Sequence, residues 1–337
     1  MPKGLNIISL FAGCGGMDLG FIKAGHTIVW ANDNDVDACL TYEKNIHHKP
    51  ICSNIETIHS ADIPEGDVVI GGFPCQGFSI ANQYRTTEDK RNQLYLELLR
   101  IIKEKNPKYF IAENVVGICS IGGYETPADK KAHLGSIFKV IIKELSKANR
   151  IGYHVEFRIL NAADFGVPQI RRRVIILGTR KDVIPILKHP NPTHSKTGQN
   201  GLPKWLSVGE TLMGLPDEPS ANIPNHLGTL HTVKINGYIG NRVTLTTKPS
   251  PTIVGRGGGT GGPIIIPHPN LKRRMTVRET ARLQSFPDDF IFYGAISSQY
   301  RQIGNAVPWP LAYNIAKMLP KANQISYHLL SAQALLK

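Results

Sequence analysis

The sequence predicts a doubly wound α/β domain with a smaller, irregular region, and three observations carry that expectation. From residue 5 to about 180, short β-branched or aromatic runs alternate with helical patterns, as in a parallel sheet covered on both faces. A glycine turn ends the first run, where open α/β sheets place their ligands. Near residue 185 the alternation stops: Pro185, Pro190, Pro192, Pro203, Pro216, Pro219 and Pro224 interrupt it, and six glycines crowd residues 255–262. In order, the candidate strands are Leu5–Phe11, Thr27–Ala31, Asp67–Gly71, Tyr109–Ala112, His154–Leu160 and Val174–Gly178. Between them Leu94, Leu98, Ile101 and Ile102 recur at helical spacing, as do Ile137, Val140, Ile141 and Leu145. Thr276-x-x-Glu279 has the form of a capping box opening a helix through Gln284, and Pro310 to Leu319 reads as a last amphipathic helix.

The 337 residues suffice for one large or two ordinary domains, and the charge divides them unevenly. Residues 1–168 carry 18 basic and 19 acidic side chains, residues 169–337 carry 21 and 7, so the whole surplus of +13 sits in the second half. Lysine and arginine exchange condensed counterions for phosphate contacts, so this asymmetry points to a polyanion on one part of the molecule. A merely solubilising basic surface is the alternative. No apolar run approaches the roughly 18 residues of a membrane span, and Ile7 to Ala12 is shorter than the roughly 7–15 of a signal segment. Five cysteines without C-x-x-C spacing read as thiols of a cytosolic protein, and no histidine or cysteine spacing suggests a metal.

Four motifs carry chemistry. Phe11-Ala12-Gly13-Cys14-Gly15-Gly16 is a glycine turn without the dinucleotide fingerprint, since Asp18 stands where its third glycine belongs; a pyrophosphate ligand is disfavoured. Asp33, Asp35 and Asp37 follow the second strand, where a carboxylate can take ribose hydroxyls. In Gly71-Gly72-Phe73-Pro74-Cys75-Gln76, glycines and a proline hold the backbone open around Cys75 at a strand end, where a low-pKa thiolate can reach a substrate. Glu113-Asn114-Val115 places a carboxyl at the same rim, and burial at an apolar strand end favours its protonated form; a helix-capping glutamate is the plainer reading. Gln169-x-Arg171-x-Arg173 alternates along an extended segment, so three long polar side chains can converge, or simply line a surface strand.

In this order the motifs resemble the cytosine-C5 DNA methyltransferases of the bacterial restriction–modification type. The likeness continues through Arg274-Met275-Thr276-Val277-Arg278-Glu279, Ala281 to Pro287, and Gly304-Asn305-Ala306-Val307-Pro308. It runs from Asn6 to about Leu319, and a match starting at residue 6 implies the type expected to have no amino-terminal regulatory region. The resemblance implies the Rossmann-like fold of S-adenosylmethionine-dependent methyltransferases. It implies S-adenosylmethionine as methyl donor, double-stranded DNA as substrate, and a cytoplasmic monomer on DNA with any cognate restriction endonuclease acting separately.

The residue roles it implies follow the chemistry. C5 of cytosine is a poor nucleophile, and a Cys75 thiolate added to C6 makes it an enamine able to attack a methyl sulfonium. Glu113, protonated, would bond N3, while Arg173, with Arg171 in support, would hold O2 and phosphate. Because a stacked base cannot be attacked on its face, it must be flipped, with Ser79 to Leu94 closing over it. Cofactor contacts are expected from Phe11, Ala12, Gly13, Cys14, Gly16, Asp33, Asn34, Asn54, Ile55, Gly72, Pro74, Leu94, Asn305 and Ala306. DNA contacts are expected from Ser79, Arg91, Gln169, Arg242, Thr252, Ile253 and Arg256, with Arg242 and Arg256 reading bases or holding phosphates. Residues 1–182 plus 300–337 would form the catalytic unit, and 183–299 the target-recognition domain and hinge.

The sequence departs from the family pattern at Ser9, Asn34, Asn54-Ile55 and Asn92, none of them a catalytic group. Asn54 can still accept a bond from the adenine amino group. A transfer-RNA methyltransferase of the same chemistry is the nearest alternative, but the roughly 90 residues between the arginine triplet and Arg274 suffice for a dedicated sequence reader. A non-catalytic DNA-binding protein would not need Cys75, Glu113 and Arg173 together. A nicotinamide oxidoreductase lacks its fingerprint here.

Overall fold

The computed structural model of the chain describes residues 4–73, 94–228, 243–255, 266–269 and 273–328. Pro74, Cys75, Ser79, Arg91, Arg242 and Arg256 lie outside the described residues. The first winding consists of β1 (Asn6–Leu10), α1 (Gly16–Lys23), β2 (Thr27–Asp33), α2 (Val36–Ile46), β3 (Ile51–Cys52) and β4 (Val68–Gly71). The second consists of α3 (Leu94–Lys105), β5 (Tyr109–Val115), α4 (Pro127–Ala132), α5 (Ser136–Ser146), β6 (Tyr153–Asn161) and β7 (Arg172–Arg180). All six expected strands are present. β5 runs three residues further than periodicity suggested, because the polar Glu113 and Asn114 continue the ladder opposite Ile175 and Val174 of β7.

The sheet order is β3-β2-β1-β4-β5-β7-β6. The first five strands are parallel, and β7 lies antiparallel between β5 and β6. From β1 the chain winds outward through β2 and β3, then returns to β4 on the other side of β1. The strand order therefore reverses between β1 and β4, and the crevice at their carboxyl ends is where such sheets bind ligands. Alternation along the central strands divides the core in two. Ile8, Leu10, Val69, Phe110 and Ala112 face Leu98, Ile102, Phe138 and Ile141 of α3 and α5. Ile7, Val68, Ile70, Tyr109 and Ile111 face Met17 and Phe21 of α1 together with a carboxyl-terminal helix. A one-residue slip would exchange the two sets, so register is strongly specified.

That helix follows α6 (Val208–Leu212), α7 (Val277–Leu283) and α8 (Ile296–Asn305); it is α9 (Trp309–Ala316). Leu311, Ala312 and Ile315 of α9 share the core of Phe21, so the chain end returns to the first strands. Two short strands, β8 (Val183–Ile184) and β9 (Ser326–Tyr327), pair antiparallel. A third core gathers Val277, Ala281, Leu283, Phe286, Phe290, Phe292 and Ile303 with Cys14 of the first turn and Ile253. A boundary between residues 299 and 300, as expected from sequence, cuts through α8; the continuous helix begins at Ile296. Among the described residues no helix is long and apolar enough to cross a membrane.

Candidate active site

The turn after β1 is held from three sides. Phe11, Gly13 and Gly15 take positive φ values of 54°, 55° and 89°. The Ala12 amide donates to the Asn32 carbonyl at 2.9 Å. Asp33, ending β2, accepts from the Gly13 amide at 2.8 Å and from the Asp35 amide at 2.9 Å. Burial pushes the Asp33 carboxyl up, against the amide bonds that favour its charge. Beneath the turn, Asp18 is wholly buried and accepts from Ser9 Oγ at 2.8 Å and Tyr42 OH at 2.6 Å. Its pKa is raised to about 6 by burial despite both bonds. Ser9, one of the departures from the family pattern, thus bonds an acid on the first turn of α1.

The face of this turn can take a nucleoside. A Cβ built on Gly13 meets nothing within 4 Å, and the half-buried Phe11 and exposed Asn34 and Asn54 lie beside it in sequence or strand order. Asn34 donates to Asn54 Oδ1 at 2.8 Å, the acceptor foreseen for an adenine amino group. Cys14 and Ile55 bury their side chains in the cores, so those side chains are unavailable to a ligand, a correction to the expected contacts. Burial pushes the Cys14 thiol far up. Leu94 opens α3, packed against the first core. Gly16 must be glycine: a Cβ there would lie 2.6 Å from the Val307 carbonyl oxygen and 3.1 Å from Ala306 Cβ. The Gly304 to Pro308 segment is therefore pressed on the turn, with Asn305 exposed beside it.

At the rim of β4 and β5, Glu113 Oε1 is 2.9 Å from Arg173 Nε, and both residues are under 10% exposed. The environment differs from the apolar strand end expected from sequence, for a guanidinium faces the carboxylate. Gly72 leaves room for it, since a Cβ there would stand 3.0 Å from Glu113 Oε2. Asn114 donates to the Phe73 carbonyl at 3.1 Å, which anchors the backbone entering Pro74-Cys75. Arg173 Nη1 donates to the Arg172 carbonyl at 2.8 Å, and Nη2 is unengaged among the described residues.

The other two members of the triplet turn inward rather than toward a ligand. Gln169 is 0% exposed; its amide donates to the Leu283 carbonyl at 3.3 Å and to Gln284, and accepts from the Ile253 amide at 3.0 Å. With no exposed surface it offers nothing to DNA in this structure, which corrects the expected contact. Arg171 donates to the carbonyls of Ile253 at 2.7 Å and Gly304 at 3.0 Å. Thr252 Oγ1 donates to the Ile170 carbonyl at 2.7 Å, and Ile253 packs its side chain in the third core while its amide donates to Gln169 and its carbonyl accepts from Arg171.

A family model for C-5 cytosine-specific DNA methylases matches residues 5–250 and 231–321. The chain belongs to this family. It is a DNA (cytosine-5) methyltransferase, similar to the Type II methyltransferase M.NgoFVII of Neisseria gonorrhoeae, with 39% identity over 93% of this chain and 86% of that protein. Type II methyltransferase M.MthTI of Methanothermobacter thermautotrophicus is 37% identical over 94% and 97% of the two chains. Among solved structures, a prophage-encoded E. coli protein assigned as a DNA modification methyltransferase superposes with a TM-score of 0.66 and 25% identity, covering 94% of this chain and 98% of that one.

Around α7 the methyltransferase holds its irregular region with buried arginines that spacing alone did not single out. The Thr276 and Glu279 capping box forms as expected, with Glu279 also receiving Arg273 at 2.7 and 2.8 Å. Burial by itself would raise the Glu279 carboxyl; the bonds from Arg273 and the Thr276 amide outweigh it and hold the group below its usual range. Arg278, 0% exposed, donates to the carbonyls of Pro224, Pro287 and Phe290 at 2.9 to 3.0 Å. Arg274 lies 3.6 Å over the Tyr300 ring. Gln284 donates to the carbonyls of Ile303 and Ala306 at 3.1 and 2.6 Å, tying the end of α7 to the segment against the glycine turn. The signal for these was present in the motif itself, as polar residues inside apolar periodicity.

Proposed function

We propose that the chain transfers a methyl group from S-adenosylmethionine to C5 of a cytosine flipped out of duplex DNA, using Cys75, Glu113 and Arg173, and that it protects host DNA in a Type II restriction–modification system. The observation that carries this reading is the buried Glu113–Arg173 pair beside Gly72, one strand from the glycine turn, in a chain of this family. The Cys75 thiolate adds to C6, which places electron density on C5. In its protonated form Glu113 donates a hydrogen bond to N3 as negative charge gathers on the ring, and Arg173 uses its remaining donors at O2. When bound, S-adenosylmethionine supplies an electrophilic methyl on a sulfonium. Restoring the ring afterwards requires loss of the C5 proton and expulsion of the Cys75 sulfur.

The turn of Phe11 to Gly16, Asp33, Asn34, Asn54 and Gly72, with Asn305 and Ala306 closing over it, fits the nucleoside part of that donor. Asp33 braces the turn while keeping lone pairs for ribose hydroxyls. Arg171 acts by position. Residues 183–295 carry target recognition, with Arg242, Thr252 and Arg256 toward DNA and Ser79 and Arg91 on the closing loop; the later helices return to the catalytic unit. The protein works as a cytoplasmic monomer, with any endonuclease separate. The test is to express it in an unmethylated host and map modified cytosines, beside Cys75→Ser. Wild type should methylate one cytosine of a short recurring word, while the variant binds DNA without methylating it. A Cys75→Ser enzyme near wild-type rate would overturn the mechanism.

A further inference from the structure

We propose that Arg171 is a positioning residue through which duplex DNA and the methyl donor raise each other's affinity. This rests on the functional reading above and adds a route between its two sites. Arg171 is 1% exposed at the entrance to β7, and its two terminal nitrogens grip the carbonyls of Ile253 and Gly304. Ile253 leads into the glycine-rich stretch assigned to DNA, and Gly304 opens the segment assigned to the donor. The two segments are in direct contact: a Cβ on Gly304 would fall 2.3 Å from the Val254 carbonyl carbon, and one on Gly255 would strike the Asn305 side chain. Three residues on, Val307 presses on Gly16 of the glycine turn. One packed stack thus runs from the DNA side, through the 304–307 segment, to the donor turn, with Arg171 bridging its first two layers. Close-packed layers shift together rather than deform.

The guanidinium is an expensive way to fill this space. Among the described residues its Nε has no partner, and Glu113, the carboxylate whose charge acts on it, is paired with Arg173. An apolar side chain of similar volume would avoid burying that charge. What an apolar residue cannot do is hold two carbonyls of different segments at one separation. Holding both means that a ligand ordering either segment lowers the cost of ordering the other, and linkage makes the effect reciprocal.

The experiment measures the Kd of S-adenosylhomocysteine by calorimetry, with and without a saturating duplex carrying the mapped site, for wild type, Arg171→Lys and Arg171→Met. Wild type should bind it at least about fivefold more tightly with duplex present, within the usual range of coupling. The ratio should be smaller in Arg171→Lys and under about twofold in Arg171→Met. A merely structural role would weaken both ligands or lower the urea midpoint and leave the ratio where it was. Should neither variant fold, hydrogen exchange of wild type decides: duplex alone should slow amides of residues 304–307, and unchanged exchange overturns the proposal. A ratio of one in wild type, or a wild-type ratio in Arg171→Met, overturns it too. Failure of either ligand to bind by itself would instead sink the functional reading.

Discussion

Glu113 and Arg173 show how little of a reactive group's state follows from its own residue type. Apolar flanks on β5 suggested a carboxyl alone at a strand end; the antiparallel return of β7 sets a guanidinium 2.9 Å from it, a long-range pairing that no local pattern announces. Glutamine in place of Glu113 keeps an acceptor for Arg173 but lacks the charge and the acid proton. Glu113→Gln should therefore slow methyl transfer by about 10²- to 10³-fold, as removal of one charge-stabilising donor does elsewhere, while S-adenosylmethionine affinity changes little. Turnover intact with lost donor affinity would move Glu113 into the donor site. Asp18 supplies a separate, pH-dependent prediction. Its folded pKa of about 6 stands above the ordinary 3.8, so the native state holds this proton more tightly than the unfolded chain. That contribution to stability is fully present below about pH 4 and is lost as pH rises through about 6. Asp18→Asn carries no such titration, so its urea midpoint should gain on wild type between pH 4 and 7. Parallel curves over that window would mean that Asp18 does not titrate there.

Strands were the most legible elements, because a sheet covered on both faces needs continuous apolar runs, and these announce themselves in Ile7–Leu10, Val68–Gly71 and Tyr109–Ala112. The two-residue β3 escaped, being too short to carry any period. The motif Gln169-x-Arg171-x-Arg173 announced convergence correctly but not direction: alternation puts three side chains on one face without saying whether that face meets solvent or another segment. Only the 250–255 segment, paired alongside through Gln169 and Ser250, decides it. α7 illustrates an element whose end is fixed by local chemistry. Thr276 caps it, Glu279 completes the box, and His226 Nδ1 sits 2.9 Å from the same Thr276 hydroxyl. Thr276→Ala removes the cap and strands buried polar partners, so it should cost about 1–2 kcal/mol of stability, read as a lowered urea midpoint at unchanged slope. A loss below about 0.5 kcal/mol would mean that water replaces the hydroxyl at this end.

For the whole molecule, the surplus of positive charge needs to be divided between holding the fold and holding DNA. Of the 21 basic side chains after residue 168, Arg171, Arg173, Arg273, Arg274 and Arg278 are buried, and Arg180, Arg282 and Arg301 pair with Asp182, Asp288 and Asp35. Eight are thus committed within the protein, which leaves 13 as a ceiling for this half's phosphate contacts. Counterion release scales as about 0.9 per phosphate neutralised, so if this half carries the contacts the slope of log affinity against log salt should be no steeper than about −12. Arg256 is among the 13. It follows Gly255, which is pinned against Asn305, and precedes three glycines whose missing side chains allow backbone to approach the duplex closely. An arginine at this place in the sequence is suited to reading a guanine through two bonds. Arg256→Ala should then cost about 1–3 kcal/mol on the cognate word, relax discrimination at one base pair, and leave the salt slope unchanged. A phosphate contact would instead weaken every sequence alike and reduce the slope by about one unit. Methylation of a panel of single-base site variants at two salt concentrations separates the two, and a uniform loss across the panel would remove Arg256 from the reading of bases.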